Sequence, residues 1–217
     1  MKDSVYFLGH LGLGDHIIQQ GIVNLLSERF DVHIFAKYHN VKSLAHLCKN
    51  RDIVINPVSG DDEVRSFVSK HPKKTFGVGI YGQNWSAIKK SGMTFDKYFY
   101  HQLGIEFNRT YIDIEDGDLE YQAPSEPFAF VHDDQSRNLN IRPNLINKDL
   151  KIWRPHRSET IFDFLSVIRQ AEEIHCIDSS FALMIDRAAN INAPKTIHRY
   201  VRRNSLNPFY KNWNIIQ

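Results

Sequence analysis

The chain opens on a short apolar run, Ser4 to Leu8 (SVYFL), that stops at a glycine and predicts a buried strand. After the loop Gly9-His10-Leu11-Gly12-Leu13-Gly14 the period changes. From Asp15 onward Ile17, Ile18, Gly21, Ile22, Leu25 and Leu26 recur at the three- and four-residue spacing of one helical face. The alternation then repeats: strand Asp31–Ala36, helix Val41–Cys48, strand Asp52–Ile55, helix from Asp61 through Val68, and strand Lys74–Tyr81. Residues 82–125 are less regular, with a helical stretch at Phe95–Leu103 and an acidic turn region, IDIEDGDLE.

Pro124-Ser125-Glu126-Pro127 reads as a boundary, and beyond it the pattern restarts. Strands are expected at Phe128–His132, Leu150–Trp153, Glu173–Ile177 and Lys195–Tyr200, with helices at Ile161–Ala171 and Ser179–Ala189. A tail follows, carrying Phe209, Tyr210 and Trp213. Strands alternating with helices at this spacing imply βαβ units and mainly parallel sheets. The expected architecture is α/β, with residues 1–124 and 125–217 as two abbreviated Rossmann-like halves.

Composition changes this picture little, but charge adds to it. The chain has 217 residues, 42% hydrophobic, with 14 Phe, 9 Tyr and 3 Trp, enough apolar surface to exclude disorder. There is no apolar run of about 18 residues and no signal-peptide pattern after Met1-Lys2-Asp3-Ser4. The only cysteines, Cys48 and Cys176, lie far apart, so a cytoplasmic protein without disulfides is expected. Residues 1–136 carry 14 Lys and Arg against 18 Asp and Glu, whereas residues 137–217 carry 13 against 7. The second half is therefore suited to an anion, or simply has a solvated basic face. No basic run interleaved with aromatics points to nucleic acid.

Four segments could carry chemistry. In the glycine loop, Gly9, Gly12 and Gly14 permit tight turns beside a helix start, but their spacing is not the dinucleotide fingerprint. Asp15 either caps the helix, or Asp15 or His16 faces a cleft as a general base towards a hydroxyl. At Ile177-Asp178-Ser179-Ser180 an apolar strand meets two serines at a helix start, which is either a plain cap or a phosphate cradle. His132-Asp133-Asp134-Gln135-Ser136-Arg137 follows a strand end, where α/β proteins bind ligands, and Arg137 could hold a phosphate bidentately. His132 and Asp134 are further cleft candidates there, against the reading of a solvated loop. Arg154-Pro155-His156-Arg157 adds cations to the same half. His198, Arg199, Arg202 and Arg203 look like a solvated basic tail or a surface for an anionic membrane. The 11 histidines form no metal ladder, and no hydrolase elbow or P-loop is present.

The segments GLGDHIIQQGIVNLL and AEEIHCIDSSFALMIDRAANINAP resemble two elements of the heptosyltransferase-like GT-B glycosyltransferases. The first is similar to their S-x-G-D-hydrophobic start. The second is similar to their strand, D-S, helix, small-residue, proline element. Ser180 stands where that family usually has glycine, and the histidine that often follows in the helix is absent. The resemblance implies parallel sheets in two Rossmann-like domains facing across a cleft, acceptor side first and donor side second. It also implies a nucleotide-diphosphate sugar as donor substrate, a glycan or lipid-linked acceptor, and neither cofactor nor metal. Asp15 would be the base. Asp178, Ser179 and Ser180, with Arg137 and Arg154, would meet the donor diphosphate. The rival expectations are a nucleotide-sugar 2-epimerase-like enzyme and a non-catalytic sugar or nucleotide binding module. A nicotinamide enzyme is disfavoured because the second strand ends in Ala36-Lys37 rather than an acid.

Overall fold

The computed structural model describes residues 2–83, 85–108, 114–134, 137–156, 158–201 and 209–217. They form two compact units, 1–113 and 114–217. Segment 114–123, which the sequence assigns to the first half, is tied into the second unit. Gly117 N–H donates to the Phe162 carbonyl (3.0 Å), Arg169 grips Asp116 with both guanidinium nitrogens, and Tyr121 stacks on Phe164 at 4.9 Å.

In the first unit, β1 (Asp3–Leu8), β2 (Phe30–Lys37), β3 (Ile53–Val58) and β4 (Lys74–Gly77) make one sheet in the order β3-β2-β1-β4. Every pairing is parallel. Parallel strands need crossovers, supplied by α1 (Leu13–Ser27), α2 (Val41–Leu47) and α3 (Asp61–Lys70). The central strand β1 buries Val5, Tyr6 and Phe7, as the apolar run SVYFL predicts for a strand covered on both faces. Tyr6, Leu11, Phe35, Val58 and Val64 form one core cluster. Beyond β4 come a single-turn helix, α4 (Ile88–Ser91), and α5 (Phe95–Gln102).

The expected strand Lys74–Tyr81 ends early. At Gly79 the backbone turns left-handed (φ +62°) into a 3-10 turn, Gly79–Tyr81. Glycine is required twice over there: an L side chain would be strained, and a Cβ would run into the His10 ring.

In the second unit, β5 (Phe128–His132), β6 (Lys151–Trp153), β7 (Glu173–Cys176), β8 (Lys195–His198) and β9 (Trp213–Ile216) are all parallel, in the order β6-β5-β7-β8-β9. One face of β5 packs through Ala129 and Val131 against Ile141, Ile146 and Ile177. The other carries an aromatic layer in which Phe130 and Phe164 each lie 5.9 Å from Phe181.

The helix expected at Ile161–Ala171 is broken. A 3-10 turn at Phe162–Phe164 precedes a four-residue α6 (Leu165–Ile168). Both ends close by i→i−3 bonds, Phe164 to Ile161 and Ala171 to Ile168. The Asp163 carboxylate is drawn back to Thr160 N–H (2.9 Å) and the Ser158 hydroxyl (2.5 Å), which fixes the tight first turn. The next helix, α7, spans Ser180–Arg187.

Strand β9 lies where the sequence pattern predicts only a tail. It is fastened by the fully buried Asp186 of α7, whose Oδ1 accepts from Tyr210 N–H (2.9 Å), Lys211 N–H (2.8 Å) and the Trp213 indole N–H (2.9 Å). The tail aromatics are thus half-buried in this unit. His198 is corrected too: it is fully buried at the end of β8 rather than part of a solvated tail. Cys48 and Cys176 are separate buried thiols. Among the described residues no helix is long and apolar enough to cross a membrane.

Candidate active site

Ligands of open α/β sheets bind beyond the strand carboxyl ends, where the strand order reverses direction. In the first sheet that point lies between β1 and β4, and in the second between β5 and β7. Each has a candidate cluster, and in each a backbone bond extends the pairing past the last strand residue. Val78 N–H donates to the Leu8 carbonyl (2.9 Å), and Ile177 N–H donates to the His132 carbonyl (3.0 Å).

At the first point the glycine loop leaves β1. Gly9 has no side chain because the Gln19 amide occupies the space a Cβ would need. Gly12 is the N-cap of α1, with no side-chain capping bond, and Gly14 lies in the first turn. Asp15 is therefore not the cap. It sits in the first turn, where the helix dipole favours a carboxylate, with its side chain 27% exposed. His16 points the other way. It is buried, its Nε2 has no hydrogen-bond partner among the described residues, and burial pushes its pKa down to about 4 against the opposing pull of Asp15. Of the two candidate bases, Asp15 is much the more open to solvent.

His10, in the same loop, joins this cluster without any motif to single it out. Its Nδ1 lies 3.6 Å from Asp15 Oδ1, and its Nε2 accepts from Ile80 N–H (3.1 Å) in the turn after β4. That turn is fixed from α5, where Gln102 Oε1 accepts from Gly79 N–H (2.6 Å). The one signal for His10 in the sequence is a histidine lodged between glycines at a strand end.

At the second point His132 ends β5, and Asp178, Ser179 and Ser180 follow β7. Asp178 is fully buried. Ser179 caps α7, its Oγ accepting from Ala182 N–H (3.5 Å) and lying 3.1 Å from His132 Nδ1. The His132 ring stacks on Phe181 at 4.2 Å. Burial lowers its pKa to about 4, with Asp133 and Asp134 opposing the shift, so the ring is neutral at pH near 7. The Ser179 hydroxyl and His132 Nδ1 share one hydrogen bond, whose direction is set by the tautomer of the neutral ring. Ser180 differs, since its hydroxyl makes no hydrogen bond among the described residues, and it stands beside the open N–H groups of a helix start.

The two arginines are already engaged. Arg154 makes a bidentate pair with Asp133 (3.1 Å to each oxygen), whose side chain is 2% exposed. Arg137 bonds Asp134 through Nε (2.5 Å) and remains 60% exposed. The two adjacent carboxylates thus serve different guanidiniums. Arg154 is internally neutralised, whereas Arg137 keeps donors facing solvent. Gln135, Ser136, Arg157, Arg202 and Arg203 lie outside the described residues. Among the described residues no three His, Cys, Asp or Glu side chains converge as a metal centre would require.

No family model matches the chain, and no curated protein matches it. Solved structures do. The iron-containing dodecameric glycosyltransferase TibC from enterotoxigenic E. coli H10407 is similar at TM-score 0.57 and 12% identity, over 91% of this chain and 58% of that one. A second TibC structure, described as a heptosyltransferase in complex with ADP-D-β-D-heptose, is similar at TM-score 0.57 and 11% identity, over 90% and 57%. The E. coli heptosyltransferase WaaC with ADP-2-deoxy-2-fluoro heptose matches at TM-score 0.47 and 11% identity, over 99% and 93%. The chain spans 58% of the length of the TibC chain it matches. Its fold is that of the heptosyltransferase-like glycosyltransferases, two parallel α/β sheets of four and five strands.

Proposed function

We propose that the protein is a glycosyltransferase that moves a sugar from a nucleotide-diphosphate donor to a hydroxyl acceptor. The observation that carries this is the pairing of roles with topology. A solvent-contacting carboxylate, Asp15, stands at one switch point, and a helix start with the uncommitted hydroxyl of Ser180 stands at the other. The TibC complex with ADP-D-β-D-heptose makes that nucleotide sugar the first donor to test.

In this mechanism the second unit receives the diphosphate on the amino end of α7, with Ser180 and Arg137 as donors. Ser179 orients the cap through His132 rather than touching phosphate. Asp15 accepts the proton of the acceptor hydroxyl as its oxygen bonds to the anomeric carbon. The bond from that carbon to the diphosphate oxygen breaks, and Ser180 and Arg137 of the second unit meet the charge on the departing diphosphate. No step calls on a metal. Asp15→Asn is expected to lower kcat on the order of 100-fold or more, with nucleotide affinity unchanged.

One observation favours a second reading, a binding module without turnover. The Asp133–Arg154 pair withholds a guanidinium that a diphosphate site could use. Thermal-shift titration with nucleoside diphosphates and nucleotide sugars, with EDTA or magnesium, tests the proposal. A rise in Tm with one diphosphate class in EDTA supports it, because a ligand selective for the folded state must stabilise that state. No shift with any nucleotide rejects it.

A further inference from the structure

We infer that His10 is a positioning residue for Asp15, held in one tautomer and one orientation by the turn after β4. The inference rests on the assignment of Asp15 as base, and it adds a residue for which the motif resemblance has no role.

Ile80 N–H can only donate, so His10 Nε2, 3.1 Å away, must be an acceptor. A neutral imidazole that accepts at Nε2 carries its proton at Nδ1, and Nδ1 is the nitrogen facing Asp15, 3.6 Å from Oδ1. The ring cannot swing away easily. Phe99 meets it edge-on at 5.3 Å and Phe95 lies at 5.5 Å. Gly79 at φ +62° brings the turn backbone against it, and Gln102 holds that backbone from α5. The structure therefore runs from Gln102 through the turn to His10 and on to Asp15. This places one N–H dipole beside one carboxylate oxygen and leaves the second oxygen for the acceptor proton. At 3.6 Å the approach is electrostatic, and such contacts commonly tighten when substrate binds.

Two substitutions separate the functions of the ring. His10→Asn keeps a donor near the Nδ1 position and loses the acceptor for Ile80. His10→Gln keeps an acceptor near Nε2 and loses the donor to Asp15. With donor sugar and acceptor saturating, His10→Gln and His10→Ala are expected to lower kcat on the order of 10- to 100-fold with KM for the donor unchanged. His10→Asn is expected to recover most of kcat. Equal losses in the Asn and Gln variants, or kcat unchanged in Gln, overturn the inference. Asp15→Asn run alongside identifies which idea failed. Full activity there removes Asp15 as base and His10 with it, whereas an inactive Asp15→Asn beside a fully active His10→Gln removes only the role of His10. Nitrogen-15 NMR of the wild-type ring needs no turnover. The expected state is the neutral Nδ1–H tautomer, and an Nε2–H tautomer contradicts the inference.

Discussion

Lowering the pH from about 7 to about 5 is expected to cost this fold several kcal/mol, and the structure says which side chains are responsible. His16, His132 and His198 are each held neutral by burial, with pKa values pushed from 6.5 to about 4. His198 is also held down by its neighbour His175, whose Nδ1 lies 3.0 Å from His198 Nε2. Glu173, 3.0 Å from the far nitrogen of His175, closes the row. On unfolding, each of the three returns to its ordinary value and takes up a proton anywhere between these limits. The unfolded state then binds more protons, so stability rises with pH across the window. It is complete above about pH 6.5 and is lost as pH falls towards about 4. At pH 5 a group with these two pKa values forfeits about 2 kcal/mol, so His16 and His132 together remove a few kcal/mol, with His198 acting in the same direction, a sizeable share of the whole stability of many domains. Urea unfolding between about pH 5 and pH 7 measures this before the carboxylates titrate. His132→Gln keeps a hydrogen-bond partner for Ser179 and removes one titrating ring, so its stability should fall less steeply, by up to about 1.4 kcal/mol per pH unit. A wild-type stability independent of pH over this range, or a His132→Gln slope equal to that of wild type, refutes the reasoning.

Other outcomes follow from the same geometry. Asp186→Ala removes one acceptor from three N–H donors and releases β9, so it should destabilise the fold by about 3–5 kcal/mol and expose the amides of 213–216 to hydrogen exchange. Ser179→Ala should cost about 1 kcal/mol of stability as a lost cap. Ser180→Ala should leave Tm alone but weaken nucleoside diphosphate binding by about 1.5–3 kcal/mol, read by calorimetry. The reverse pattern for the two serines would reassign the phosphate donor to Ser179.

Much of the fold was legible because parallel strands covered on both faces write themselves as short apolar runs. SVYFL, DVHIFA, FAFVH and EIHCI each coincide with an observed strand to within one residue at either end. Strand β9 was not legible. Four residues, WNII, carry no distinctive period, and what makes them a strand is Asp186, more than twenty residues earlier in the chain. The early stop of β4 was hidden for a similar reason, since Gly79 turns to admit a ring from the loop after β1.

The site divides the same way. Asp15 and the Ser179–Ser180 helix start could be read from strand–loop–helix order, because that order fixes what stands at a strand end. The neutralisation of Arg154 by Asp133, the inward turn of His16 and the clamp on His10 are long-range contacts, and residue type alone does not announce them.

The central claim is sugar transfer. The most direct test is to incubate the protein with ADP-heptose and other nucleotide sugars against a panel of hydroxyl-bearing glycan and lipid-linked acceptors, in EDTA, and to weigh the acceptors by mass spectrometry. The expected result is an acceptor heavier by one glycosyl unit, an equimolar release of nucleoside diphosphate, and neither product with Asp15→Asn. Nucleotide-sugar binding with every acceptor unchanged, or with an isomerised sugar formed without any acceptor, would contradict it.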